Sequence, residues 1–349
     1  MKAMTEAKDV SFQRTIAESE SRAKTRKSFS IYQKRLTFKT DCPEVANEIQ
    51  KDLKNFAGGS GNCDASVYGF LETGAGFSAL RNPPPGAILV WKSLDHSQFH
   101  YQAGETVMMY HTKNERVVAV TLSFISHDTS VCFSSDKDVL YELCLYEIEK
   151  HASKLLVKEG KQFVHASSVE IDGKGYLFPA TSGFGKTFLT LVLLNNGHQL
   201  LADDKTFIDL TRTLIFPYSR RLRVDRRSAR LFPVLKPFLR SAQRHFLNYK
   251  AKYFIDAEKA WPGSQGSVCP LSCIVFPTIW VDESSKIIPC KTEHALSRIL
   301  TSMKLFSQEV TRRETQAAFE LATKVPSYHL LIGTNISGVE KAMKAGIKL

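Results

Sequence analysis

Eight consecutive residues, Ala180-Thr181-Ser182-Gly183-Phe184-Gly185-Lys186-Thr187, carry the strongest chemical signal in the chain. A complete phosphate-binding loop reads G-x-x-x-x-G-K-[ST], and here Ala180 stands at the first glycine. Its surroundings suit the motif. An apolar strand (GYLFP) leads into it, and an apolar helix (TFLTLVLLNNG, closed by Gly197) leads out. Small residues at Ser182, Gly183 and Gly185 let the backbone curl its N–H groups around phosphate, with Phe184 between them. The start of the following helix adds its positive dipole end. In such a loop Lys186 reaches the β- and γ-phosphates and the Thr187 hydroxyl ligates Mg²⁺. An alanine at position 180 is tolerable only where the backbone does not need a positive φ.

Two acids follow at a telling distance. Asp203 lies seventeen residues past Lys186, at the end of the short apolar run QLLA, with Asp204 next to it. A strand–loop–helix–strand path returns that run beside the loop. One of the two carboxylates then holds Mg²⁺, and the other accepts a proton from an attacking hydroxyl. A capped turn leading to Lys205 is the plainer reading. His165, in Val164-His165-Ala166-Ser167, is the third candidate. A histidine in an apolar strand is ordinarily a satisfied core residue. Its strand, however, pairs through the turn Asp172-Gly173-Lys174-Gly175 with the strand feeding the loop, which would place the ring at the same pocket.

These elements sit in the second part of a two-part chain. With 349 residues, 43% hydrophobic and 23% charged, the composition is that of an ordinary globular protein. Residues 1–30 are polar and non-periodic and read as a mobile leader without a secretory core. Residues 31–160 read as a smaller α+β domain. In it, a helix from Pro43 to Phe56 is capped by Thr40 or Asp41, a meander of short alternating strands runs from PPPGAILVWKSL to ERVVAVTLSF, and a helix covers 138–158 with His151 exposed. Residues 161–349 alternate strands and helices and read as an α/β catalytic domain, with helices near 292–305 and 311–324, a strand SYHLLIG and a last helix from Ser337.

Composition narrows the setting. No apolar run reaches the roughly 18–20 residues of a membrane span. Seven scattered cysteines, with only Cys269 and Cys273 close together, suggest a reduced cytoplasmic protein with buried thiols rather than a disulfide framework. The net charge is +12, and between Arg212 and Lys252 twelve Lys and Arg face Asp225 alone. So localised a basic region fits an acidic or phosphorylated partner. Its aromatic neighbours Phe232, Phe238, Phe246 and Tyr249 suggest base stacking, but Pro233 and Pro237 break any long recognition helix, which argues against nucleic acid.

The constellation of His165-Ala166, the hairpin, TSGFGKT, the helix ending Asn196-Gly197-His198, and LLADD resembles the catalytic domain of HPr kinase/phosphorylase. It is closer still to the HPr-kinase-related kinases of bacterial biosynthetic clusters, over about 163–305. The resemblance implies an α/β P-loop kinase domain of the HPr kinase C-terminal and phosphoenolpyruvate carboxykinase type, preceded by a smaller α+β domain. It implies ATP and Mg²⁺ as cofactors and transfer of the γ-phosphate to a Ser or Thr hydroxyl of a peptide or protein, such as a biosynthetic precursor peptide. Lys186 and Thr187 are then the nucleotide and metal residues, Asp203 the base and Asp204 the metal partner. Arg220, Arg221 and Arg223 meet the transferring group or the acceptor, and the chain is a candidate homo-oligomer. The likeness omits the Glu- and Arg-Gly-containing signature that follows the paired acids in true HPr kinase/phosphorylases. The alternatives are a kinase of a small-molecule hydroxyl, a carboxykinase-like enzyme, and a nucleotide- or nucleic-acid-binding module without transfer activity.

Overall fold

The computed structural model describes the chain except residues 1, 60, 73–80, 182, 241–243, 247–248, 304–310 and 348–349; the side chains of 2–11, 240, 244–246 and 249–251 are also left undescribed. The protein is mixed α/β and divides into two compact units, Met1–Leu155 with Arg244–Ala251, and Leu156–Gln243 with Lys252–Leu349. Among the described residues no helix is long and apolar enough to cross a membrane.

The first unit is built on one eight-stranded sheet. Its elements are α1 (Lys2–Arg22), β1 (Thr25–Ile31), β2 (Lys34–Thr40), α2 (Pro43–Asp52), β3 (Ala65–Leu71), β4 (Ile88–Lys92), β5 (Gln98–Ala103), β6 (Thr106–Lys113), β7 (Arg116–Phe124), β8 (Thr129–Ser134) and α3 (Lys137–Val157). The order is β1-β2-β3-β8-β7-β6-β5-β4. The strands from β4 to β8 form the expected antiparallel meander, and β3 pairs parallel with both β2 and β8.

Three local expectations are corrected in this unit. The described part of the expected leader forms α1 and β1 instead. The segment has little apolar periodicity, but Phe12, Ile16 and Ala23 pack against Tyr68, Phe70, Phe124 and Val131. Arg22 closes the join with ion pairs to Asp41 and Glu72. That engagement also removes Asp41 as a cap, and the N-cap of α2 is Cys42, whose side chain makes no capping bond. His151 is buried, not exposed, at 5%. Its Nε2 lies 2.9 Å from Ser130 Oγ, which donates to the fully buried Glu147 carboxylate at 2.6 Å.

The second unit contains β9 (Lys161–Val164), β10 (Ala166–Ile171), β11 (Lys174–Pro179), α4 (Lys186–Asn195), β12 (Gln199–Ala202), β13 (Thr206–Asp209), β14 (Leu214–Phe216), β15 (Leu222–Asp225) and α5 (Arg226–Leu231). Beyond these come β16 (Arg244–Phe246), which falls in the first unit, then β17 (Tyr249–Ile255), α6 (Ala257–Ala260), β18 (Cys269–Ile279), β19 (Lys286–Pro289), α7 (Thr292–Met303), α8 (Arg312–Lys324), β20 (Ser327–Ile332) and α9 (Gly338–Gly346). The main sheet runs β12-β10-β11-β18-β14-β13-β9, and β20 adds to β18 and carries β19. Both β11 and β20 are parallel to β18.

Alternation along the central strands gives the sheet two apolar faces. Phe178, Val275 and Leu330 face α4 and α9, with Leu189, Leu193, Val339 and Met343 in one cluster. Leu177, Ile274 and Phe276 face α7 and α8, with Ile299, Ala318 and Leu321 in another. The expected hairpin is present between β10 and β11, its turn residues Asp172 and Gly173 at φ of 51° and 76°. Two positive φ values in succession are what a type I′ turn requires. Cys269 and Cys273 are buried on β18, and burial pushes both thiols up to about 12.

Candidate active site

The loop between β11 and α4 is fixed at both ends. β11 is paired on both sides, by β10 and β18. α4 is apolar around most of its surface, so packing rather than amphipathicity anchors it, with Leu189 and Leu191–Leu194 buried. Between them Gly183 and Gly185 adopt φ of 90° and 99°, values L-residues rarely take. A Cβ on Gly185 would meet Ile279 Cδ1 at 2.9 Å, so the loop passes close against the end of β18. Ala180 is not among the described residues with positive φ, which meets the condition its side chain imposes. Phe184 is 44% exposed. Ser182 lies outside the described residues.

Lys186 opens α4 and is only 6% exposed. Its ammonium donates to the carbonyls of Ala180 and Thr181 and lies 3.1 Å from His165 Nε2. An ammonium has no acceptor capacity, so Nε2 must accept and the ring proton sits on Nδ1. That atom is 3.4 Å from Asp204 Oδ1. His165 reaches this position because the strand breaks between β9 and β10, where its backbone N–H donates to the Ser302 carbonyl at 2.7 Å. Burial holds the imidazole below its ordinary pKa, with Asp204 opposing and Lys186 assisting.

The paired acids follow β12, which is held against β10 on one side. A parallel bridge from Ala202 to Tyr218 and a bond from Tyr218 N–H to the Leu201 carbonyl hold it further. Asp204 has φ of 72°, and this turn sends the two carboxylates to different partners. Asp203, 5% exposed, accepts from Ser167 Oγ at 2.8 Å and from Thr187 Oγ1 at 3.2 and 3.4 Å. Asp204 faces His165 and keeps about a third of its side chain exposed.

The two acids are also electrically distinct. Burial, reinforced by the charge of Asp204, raises the Asp203 pKa, with the Ser167 hydrogen bond and Lys186 opposing. For Asp204, burial is outweighed by its interaction with His165 and by the positive field of Lys205, Arg220 and Lys186, which together hold the carboxyl below its usual range. Lys186 is itself lowered by burial, against the pull of both acids.

The structure therefore brings Lys186, Thr187, His165, Asp203 and Asp204 around one loop. Arg220, 6% exposed, joins them through its field on Asp204. Arg221 and Arg223 are placed differently, with guanidinium groups 4.9 and 5.5 Å from the centre of the Phe254 ring. Ser167 is the one site residue that reading the sequence did not single out. Its signal is proximity in sequence, since Ser167 stands two residues past His165 at the start of β10.

The oxygen donors suit a small hard cation. Two adjacent ligands of an octahedral Mg²⁺ at 2.0–2.1 Å stand roughly 3 Å apart, and Thr187 Oγ1 and the Asp203 carboxylate are already 3.2 Å apart. The raised Asp203 pKa agrees, because a cation there would supply the charge that this buried acid lacks.

No family model matches the chain, and no curated protein matches it. Among solved structures, the HPr(Ser) kinase/phosphatase from Coxiella burnetii is similar over 53% of this chain and 95% of that chain, at 15% identity and a TM-score of 0.26. At that score the likeness assigns neither a site nor an activity.

Proposed function

We propose that the protein is an ATP-dependent phosphotransferase acting on a hydroxyl, with a Ser or Thr of an acidic peptide or protein as its acceptor. The observation that carries this reading is the convergence of Lys186, Thr187, His165 and the paired acids on a glycine-bearing loop at the start of α4. The loop N–H groups and Lys186 bind the triphosphate. Thr187 and Asp203 hold Mg²⁺, which when bound offsets the charge on the β- and γ-oxygens. Asp204, the more exposed acid, takes the proton of the acceptor hydroxyl, and His165 orients it. The acceptor oxygen bonds to the γ-phosphorus, and the bond to the β-bridging oxygen breaks with its electron pair leaving on ADP. This division of roles reverses the one the family resemblance implies, and the contact between Thr187 and Asp203 is what favours it. Arg220 suits the transferring group, and the exposed Arg226, Arg227 and Arg230 of α5 suit an acidic acceptor.

Calorimetry with Mg·ATP on the wild type and Lys186→Ala tests the binding step. Heat of binding is expected for the wild type and none for the variant. Turnover with a serine peptide is expected to fall about 10²–10⁴-fold in Asp204→Asn, the range for losing a positioned base. Absence of any nucleotide binding by the wild type refutes the reading.

A further inference from the structure

A concave feature lies in the same unit, away from the loop. It is a groove of about 830 Å³, walled on one side by α8 through Arg312, Arg313, Gln316, Glu320 and Lys324, and on the other by Leu210 and Thr211. The residues at 313, 316, 320 and 324 recur at helical spacing, so a single face of α8 forms the wall. From Arg312 to Lys324 the helix rises about 18 Å, the reach of roughly five extended residues. This far exceeds a single small anion.

The charge of the wall is one-sided. Lys324 and Gln316 engage the Glu320 carboxylate at 3.2 and 2.9 Å, which leaves the net positive charge of the wall at Arg312 and Arg313. The two arginines at the other end, Arg312 and Arg313, are exposed. The capping box of Thr311 with Glu314 sets the backbone of the first turn of α8, which carries both arginines. Gly160, also in the lining, immediately precedes β9, and His165 follows that strand. Groove and loop therefore stand at opposite ends of one strand, about 16 Å apart at five residues of strand rise.

We propose that this groove docks an extended acidic segment of a peptide or protein partner. The proposal rests on the kinase reading only in identifying that partner as the phosphate acceptor, whose hydroxyl would then lie at least five residues from the acidic segment. Binding is tested on the full chain without nucleotide, by fluorescence anisotropy of a labelled eight-residue glutamate-rich peptide and its glutamine counterpart. The expected result is salt-sensitive binding of the glutamate peptide, weakened at least fivefold in the Arg312→Glu, Arg313→Glu double variant. It should be unchanged in a Lys92→Glu, Lys113→Glu, Arg116→Glu triple variant, whose exposed cations lie in the first unit. Unchanged Mg·ATP heat in the double variant shows that it is folded. Equal binding of the glutamine peptide, no binding at low salt, or loss only in the triple variant overturns the groove. Failure of Mg·ATP to bind the wild type overturns the kinase reading instead and leaves the anisotropy result to stand by itself.

Discussion

The hydrogen bond between Ser167 and Asp203 gives the sharpest quantitative test of the site. Ser167 is fully buried, Asp203 is 5% exposed, and their oxygens are 2.8 Å apart. A hydrogen bond to a charged group contributes about 1.5–3 kcal/mol, and one between neutral groups about 0.5–1.5. Ser167→Ala removes one oxygen and leaves Thr187 as the remaining side-chain donor to the carboxylate, so cavity effects are small. In the wild-type background it is expected to cost about 1.5–3 kcal/mol at pH 7 in the presence of EDTA. In an Asp203→Asn background the same change should cost only about 0.5–1.5 kcal/mol. The bond from Asp204 N–H to Ser167 Oγ is lost in both and cancels. The double-mutant cycle should therefore show a coupling near ~1 kcal/mol by urea denaturation. Asp203→Asn alone should be no less stable than the wild type, because it removes a buried charge beside Asp204, yet it should bind Mg·ATP more weakly. Equal Ser167→Ala costs in the two backgrounds would show that Asp203 is not held as a buried anion, and the charge assignment at the site would fall with it.

Two further outcomes are expected. Gly185→Ala forces an L-residue to a φ of 99° and its Cβ onto Ile279, so it should lose about 1–2 kcal/mol from the backbone alone. Ile279→Ala should recover the contact but not the backbone part in a thermal melt, and Gly183→Ala, at φ 90° in open space, should show the backbone part only. In the first unit, burial lowers His111 and His151 to about 4, with Glu147 opposing at both, His100 lowering His111, and Lys150 lowering His151. Their folded pKa values lie below the unfolded one near 6.5, so the unfolded chain binds more protons and stability falls as pH falls from about 6.5 toward 4. The two together contribute up to about 2.7 kcal/mol per pH unit. His151→Gln should reduce the measured slope by up to about 1.4 kcal/mol per pH unit in urea denaturation across this range, and an unchanged slope would refute the burial argument.

The features legible in the sequence are those whose causes are local. Asp172-Gly173 specifies its own turn, the turn residues between short β-prone runs mark the β4–β7 meander, and Thr311 with Glu314 marks the start of α8 within four residues. The convergence on one loop was readable because glycines, a lysine and two acids need particular spacings to act together. What escaped depends on distant partners. α1 has few apolar residues, and its attachment depends on Tyr68, Phe70 and Glu72, some fifty residues away. His151 reads as exposed until β8 supplies Ser130 and the preceding helical turn supplies Glu147. The placement of Arg221 and Arg223 over Phe254 follows from the pairing of β15 with β17, which no local pattern announces.

On the kinase reading proposed above, the partners of the Lys186 ammonium bear on how a nucleotide would enter. Two main-chain carbonyls and an imidazole already satisfy this cation, so an arriving triphosphate competes with the protein's own oxygens rather than quenching an idle charge. Selectivity then arises from exchange. A monoanion such as chloride offers too little to replace these partners, whereas a polyphosphate returns several oxygens at once.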